Sequence, residues 1–482
     1  MLDKQYIAKL TVCFFIVPNI SNAERTIQKP NILVILTDQQ SAKMMSCAGN
    51  KFVSTPNIDQ LAGQGIRFTR AYATNPVCVP SRFSLMTGRM PSNIGMEGNG
   101  HQKNHVPQYM LNKSIGSLFS NAGYETVYAG KMHLTGSNAE NGYENPYAYG
   151  FQRYITPNDK EGRGSTIEAC VNYMNHNENK PFLLVASLIN PHDICYLPLL
   201  DWAKSENKPN PYPNKKAEQL INELLNLPEG MSKHDFINNH CPPLPENFSI
   251  PERELPSFTS NHTSSYIGWA RRKYTENDWR IYRFLYARLT EIVDNQIGQL
   301  LDALKESGLE KNTLVVFTSD HGDQDASHQL GLKTFLYEES ANIPLVLKYP
   351  GYIRSGVINT ENLVSNGLDL LPTLCDYAGI EIPRGLKGKS LKSLAAEKGS
   401  SGWRKSLVVE TGKARLMVMD NQMKYMVETS HDVKQKIQHE MLFNLKSDPG
   451  EVKNIASDNA FERFLRKGRK QLKSWFAEND MY

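Results

Sequence analysis

Five short segments run apolar without the alternation expected of a half-wet strand: NILVIL (31–36), ETVYAG (125–130), FLLVASL (182–188), TLVVFTS (313–319) and IPLVLK (343–348). Such runs predict strands buried on both faces, as in parallel sheets covered by helices. Helical stretches lie between them. NIDQLAGQG (57–65) and SIGSLFSNAG (114–123) are short, whereas Ile281, Leu285, Leu289, Ile292, Ile297, Leu300, Leu301 and Leu304 recur at steps of three to four. That spacing predicts one long helix from about Trp279 to Leu304, closed by Gly308. Strand alternating with helix predicts a doubly wound α/β sheet.

Two regions depart from this pattern. Residues 196–278 are rich in Pro, Asn, Lys and Glu with few strand signals, and read as an insertion or lid over the sheet's edge, or as a plain surface excursion. After residue 400 the pattern becomes SLVVETGKARLMVMDNQMKYMVE and HEMLFNL, then a final helix from about Ala460. Alternation with tight polar turns predicts a smaller C-terminal antiparallel-sheet subdomain over 401–482, beside a main domain over 24–400.

At 482 residues the chain can bury one large core and a satellite. Charge adds little, because 54 basic residues against 50 acidic ones leave +4, too balanced to argue for nucleic acid, and no basic-aromatic stripe appears. The N-terminus changes the picture more. Lys4 and Lys9 precede an apolar run from Leu10 to Ile20 and small residues ending at Ala23, which reads as a secretory leader spanning 1–23. The run falls short of the ~20 residues a membrane-spanning helix needs, so an exported protein without a stable membrane span is expected, periplasmic or extracellular. Cys13 lies in the leader. Cys47, Cys78, Cys170, Cys195, Cys241 and Cys375 remain, at spacings that give no CxxC and no disulfide framework.

Ligands of open α/β sheets bind beyond the carboxyl ends of the strands. After NILVIL comes Thr37-Asp38-Gln39; after ETVYAG, Lys131-Met132-His133; after FLLVASLI, Asn190-Pro191-His192-Asp193; after TLVVFTS, Asp320-His321-Gly322. Singly each has a plain explanation: a helix cap for Asp38 or Asp320, a surface charge for Lys131, a core histidine for His192. Caps and surface charges have no reason to accumulate at equivalent strand ends. Asp38, Gln39 and Asp320 offer hard oxygen ligands, and His321 a nitrogen. That set suits calcium or magnesium rather than zinc. Lys131, Lys333 and Arg82 would then neutralise an oxyanion, Arg82 gripping two oxygens at once. Cys78, in CVPSRFSLMTGR (78–89), is a soft nucleophile poorly matched to a hard cation, and an oxygen nucleophile would fit better.

CVPSRFSLMTGR resembles the sulfatase signature C-x-P-S-R-x-x-x-L-T-G-R, with Met86 for the leucine. PNILVILTDQQ, GYETVYAGKMHLTG, GFQRY, NPHD, SDHGD, HQLGLKTFLYEESANIPLVLKYPG, LDLLPTLCDYAGI, GKSL and LFNLKSDPGEVKN resemble the same family in the same order, over about residues 30–455. The resemblance implies an alkaline phosphatase-like α/β fold, with a large mixed, mostly parallel sheet sandwiched by helices. It implies Cys78 as precursor of the aldehyde formylglycine, formed by a formylglycine-generating maturation enzyme. It implies one calcium ion held by Asp38, Gln39, Asp320, His321 and the modified Cys78. Arg82 would steady the aldehyde hydrate, Lys131, His192 and Lys333 would contact sulfate, His192 or Lys333 would protonate the leaving oxygen, and His133 would act as base.

Export and the polar insertion suit a sulfated carbohydrate, a glycan or a substrate of glycosaminoglycan type. Gln39 and His321 replace the aspartate and asparagine of many family members. Phosphonate or phosphate monoester hydrolysis and choline- or aryl-sulfate hydrolysis therefore stay open, as does a non-catalytic glycan-binding relative that leaves Cys78 unmodified.

Overall fold

A computed structural model describes residues 29–478 apart from 102–104, 135–144, 157–162, 179, 261–265, 398, 400, 413, 420–421 and 430–435. The expected leader at 1–23 lies outside the described residues. The strands are β1 Asn31–Asp38, β2 Ile66–Phe68, β3 Ala71–Tyr72, β4 Glu125–Gly130, β5 Arg153–Tyr154, β6 Phe182–Pro191, β7 Thr313–Ser319, β8 Leu345–Lys348, β9 Val357–Asn359, β10 Val364–Ser365, β11 Ser406–Thr411, β12 Ala414–Met419, β13 Met423–Thr429 and β14 Ile437–Asn444.

An eight-stranded sheet forms in the order β5-β4-β6-β1-β7-β8-β2-β9. All five expected apolar runs are in it. Along β5-β4-β6-β1-β7 every pairing is parallel, but β8 runs antiparallel to both β7 and β2. A run buried on both faces looks the same in either direction, which is why IPLVLK carried no sign of its reversal. The lack of alternation has a direct cause in packing. Ile32, Val34 and Leu36 enter one apolar cluster with Leu183, Val185, Leu314 and Val316. Leu33 and Ile35 enter another with Leu184, Ala186, Val315 and Phe317. Each face of β1 is covered.

The long helix spans Glu276–Glu306, three residues earlier than its apolar stripe announces, because Thr275 and Asp278 form a reciprocal capping box ahead of that stripe. Its second half lays Val293, Ile297, Leu300 and Leu304 against the sheet. Its first half packs instead on the 196–278 region, where Tyr282, Leu285 and Leu289 meet Leu197, Ile221 and Ala270. The described residues of that region carry the helices Tyr196–Ser205, Lys215–Leu224, Lys233–His240, Pro256–Ser260 and Tyr266–Lys273, joined by irregular segments. β11 to β14 form a separate antiparallel sheet in chain order, with the helix Glu462–Glu478 packed on it, Gly468 directly over the ring of Tyr425.

Candidate active site

Parallel pairing aligns the carboxyl ends of β4, β6, β1 and β7 at one edge. Thr37 pairs with Ser319, Asp38 with Pro191 and Gly130 with Ser187, so the residue following each strand emerges there. The helix Cys78–Thr87 starts beneath this edge, with every residue buried and Gly88 ending it in the left-handed region at φ 68°. Gly322, after His321, has a different necessity: a Cβ there would lie 2.0 Å from the carbonyl oxygen of Glu339.

Arg82 organises the centre. Its Nε donates to Asp320 Oδ2 at 2.8 Å and one terminal nitrogen to Asp38 Oδ2 at 2.9 Å. The other terminal nitrogen reaches the Lys131 carbonyl at 2.7 Å and Ser187 Oγ at 2.9 Å. Lys131 Nζ adds a second cation on Asp38 Oδ2 at 2.6 Å. With both outer oxygens engaged, the inner ones turn toward His321 Nε2, which lies 3.9 Å from Asp38 Oδ1 and 3.6 Å from Asp320 Oδ1. Cys78 Sγ completes the group at 3.2 Å from His321 Nε2 and 3.8 Å from Asp38 Oδ1. Donor atoms of Asp38, Cys78, Asp320 and His321 all lie within 4.8 Å of one another, fully buried.

This donor set fits a divalent cation. The carbonyl of Gly322 can only accept, so its 2.9 Å contact places a proton on His321 Nδ1 and aims Nε2 at the carboxylates. Burial lowers the ring's pKa but Asp320 and Cys78 raise it above the usual histidine value, and once Nε2 gives up its proton its lone pair would complete the donor set. Two buried inner carboxylate oxygens facing that lone pair make a cradle for positive charge.

Gln39 adjoins the cluster. Its Nε2 donates to Asp323 Oδ2 at 2.7 Å, while its Oε1 accepts from Lys333 Nζ at 2.8 Å and Cys195 Sγ at 3.1 Å. Lys333 Nζ also lies 3.2 Å from Cys78 Sγ. His133 and His192 both come within hydrogen-bonding reach of Cys78. The structure thus brings together every residue singled out from the sequence: Asp38, Gln39, Cys78, Arg82, Lys131, His133, His192, Asp320, His321 and Lys333.

Charge is distributed unevenly here. Burial pushes the Cys78 thiol up, but Lys333, Lys131 and His321 outweigh it and hold it well below the usual thiol range. Burial and the Cys78 charge oppose ionisation of Asp38, yet Lys131 and Arg82 hold it well below the usual carboxylate range. Asp320 is raised by burial and by the Asp38 charge beside it. His192 falls to about 4 through burial and the nearby ammonium groups of Lys333 and Lys131, so it is neutral near pH 7.

Backbone strain gathers at the same place. Gln39 and His133 adopt positive φ at 69° and 57°. In the loop delivering Lys333, Asp325, Ala326, His328, Gln329, Leu332 and Thr334 all have φ between 46° and 87°. Each such non-glycine residue costs roughly 1–3 kcal/mol and persists only where its surroundings hold it.

Several contributors escaped the sequence reading. Tyr282 donates to Asp323 at 2.8 Å. Tyr286 donates to the Gln39 carbonyl at 2.7 Å and accepts from Ser41 N at 2.9 Å. Ser187, a hydroxyl within an apolar strand, was a visible signal. The tyrosines, one helical turn apart on a helix read only for its aliphatic stripe, were visible by spacing alone. All six described cysteines are free thiols.

Residues 30–380 match the sulfatase family, and residues 327–478 match the family described as N-sulphoglucosamine sulphohydrolase, C-terminal. The chain is 30% identical over 472 residues to the Delta 4,5-hexuronate-2-O-sulfatase of Bacteroides thetaiotaomicron, covering 94% of this chain and 90% of the relative. It is also 30% identical over 472 residues to the Arylsulfatase of Clostridium perfringens, covering 91% and 93%. A solved structure of a 2-O GAG sulfatase superposes with a TM-score of 0.76 at 27% identity, covering 94% of this chain and 93% of that one.

Proposed function

This chain belongs to the sulfatase family and is a sulfuric ester hydrolase, and from that premise we propose that it removes sulfate from a sulfated carbohydrate of glycosaminoglycan type. The same proposal includes maturation of Cys78 to formylglycine, one calcium ion held by Asp38, Gln39, Asp320, His321 and residue 78, and export through the leader at 1–23. The observation that carries it is the facing of the inner oxygens of Asp38 and Asp320 toward His321 Nε2 beside Cys78, under the ammonium groups of Lys131 and Lys333. The glycan class is supported by a relative named as a hexuronate 2-O-sulfatase and a solved structure named as a 2-O GAG sulfatase, each matched over at least 90% of both chains.

When present, the aldehyde hydrate and the calcium ion supply an oxygen nucleophile and positive charge against a developing oxyanion. The chain's own groups do the rest. Lys131 and Lys333 bind sulfate oxygens in a site closed to bulk water, where a point charge acts at full strength. Lys333, beside residue 78, would pass a proton to the leaving alcohol oxygen, the neutral His192 next to it would donate a hydrogen bond to a sulfate oxygen, and His133 would take up the proton given up at residue 78. Arg82 keeps the carboxylates in register throughout.

A screen of sulfated mono- and disaccharides with matured enzyme, reading released sulfate by ion chromatography beside a phenylphosphonate ester, tests the reading. Sulfate release that Cys78→Ala abolishes is expected. A clear preference for the phosphonate ester overturns the choice of substrate.

A further inference from the structure

The final helix, Glu462–Glu478, carries six basic residues against two acidic ones, a net +4 equal to the formal charge of the whole chain. Its basic residues are exposed, while Leu465, Leu472 and Phe476 are buried against the small sheet. Lys467, Lys470 and Trp475 fall on one side of the helix and line a cavity of about 550 Å³, closed opposite by Lys387, Arg404 and β11. Part of this charge is spent locally: Arg404 pairs with Asp369, and Lys387 lies 3.6 Å from Glu478. Lys467 and Lys470 line the cavity beside Glu478.

A second cavity, of about 350 Å³, adjoins the first through Lys387 and Glu478 and adds Arg89 and the exposed ring of Tyr109. Together they form a groove edged by lysines and arginines, with an aromatic ring in each part. Arg89 directly follows the helix Cys78–Thr87 and its capping Gly88, so one ten-residue helix, about 15 Å long, separates the groove from residue 78. The groove is therefore distinct from the site where sulfate is cleaved.

We propose that this groove binds a second stretch of the sulfated polysaccharide whose sulfate esters the enzyme hydrolyses, Lys467, Lys470 and Arg89 pairing with sulfate groups and Tyr109 and Trp475 packing on sugar rings. The identity of the occupant rests on the proposed glycan substrate; the groove's charge and aromatic lining do not. Dispersed sulfate along a flexible chain matches cations spread along a groove better than one compact anion pocket does, and holding the polymer at a second point raises its local concentration at the first.

The test uses full-length matured enzyme and heparin as the probe. Lys467→Glu/Lys470→Glu is expected to weaken heparin binding more than about ten-fold near 0.1 M salt, since each basic residue facing a polyanion contributes measurably and salt screens it. Turnover of 4-nitrophenyl sulfate should be unchanged in the same variant, which also certifies its fold, and Lys467→Arg/Lys470→Arg should bind as the parent does. Heparin affinity indifferent to the double reversal overturns the proposal, and so does equal capture of duplex DNA or phosphatidylserine vesicles. Failure of the parent enzyme on 4-nitrophenyl sulfate would strike the active-site reading instead, leaving the heparin result to stand or fall separately.

Discussion

Arg82 shows how one side chain can orient two carboxylates toward a proposed cation site. By taking the Oδ2 atoms of Asp38 and Asp320 it turns both Oδ1 atoms toward His321. A lysine offers a point charge and cannot span both carboxylates. Arg82→Lys should therefore lower kcat on an aryl sulfate by about 10²-fold, and urea unfolding should register a loss of about 3 kcal/mol; near-parental values for both would refute this role. The strand-end residues were legible because the sheet puts them at one edge by rule. The strand-end rule did not assign Asp323, Tyr282 and Ser187, because they act through Gln39 and Arg82 and hold no strand-end position; the only signals were a hydroxyl in an apolar strand for Ser187 and helical spacing for Tyr282. Asp323 shows the environment they build: burial lifts its carboxyl to about 7 even with Tyr282, Gln39 and the Asp325 backbone donating to it.

Between elements, the most consequential contact outside the site is the buried join of the two sheets. Lys424 on β13, fully enclosed, meets Glu338 at 2.9 Å and Glu451 at 2.7 Å, and Glu451 also accepts the Glu338 backbone N–H at 2.7 Å. Burial, with Glu338 and Glu339 adding to it, pushes Glu451 above the ordinary carboxylate value of 4.5 to about 8 against the pull of Lys424. A carboxyl whose folded pKa is raised holds its proton more tightly folded than unfolded, so its contribution is complete below pH 4.5 and lost as pH rises toward 8. Glu451→Gln removes that dependence. Urea unfolding at pH 5 and pH 8 should show the variant gaining stability relative to the parent at the higher pH, and a pH-independent difference would contradict it. The elements themselves were largely legible, since runs buried on both faces and a long aliphatic stripe are strong signals. The direction of β8 was hidden for the same reason that its run was easy to find. The helices at 196–278 were hidden by composition: Lys215–Leu224, for instance, buries only Ala217 and Ile221.

For the whole molecule, the proposed cation site sits where the carboxyl edge of the central sheet meets the positive-φ loop that carries Lys333. A cation that binds only the folded chain stabilises it by mass action, about 2.7 kcal/mol at a hundred times its dissociation constant. Calcium should raise the thermal midpoint of the matured enzyme by several degrees, and EDTA should reverse both this gain and the activity; a midpoint indifferent to both reagents would argue against a resident calcium ion. No described helix is long and apolar enough to cross a membrane. Export makes a separate demand, that the protein recovered from its host begin at Glu24 by N-terminal sequencing, whereas an intact Met1 start would contradict the leader. The central claim is that Cys78 serves as raw material for an aldehyde rather than as a thiol, and Cys78→Ala should accordingly cost at least about 10³-fold in turnover. The most direct measurement is the mass of the peptide spanning residues 71–89 from enzyme made in its native host. Conversion predicts a mass about 18 Da below that of the unmodified peptide, and a wholly unmodified Cys78 in active enzyme would contradict the account.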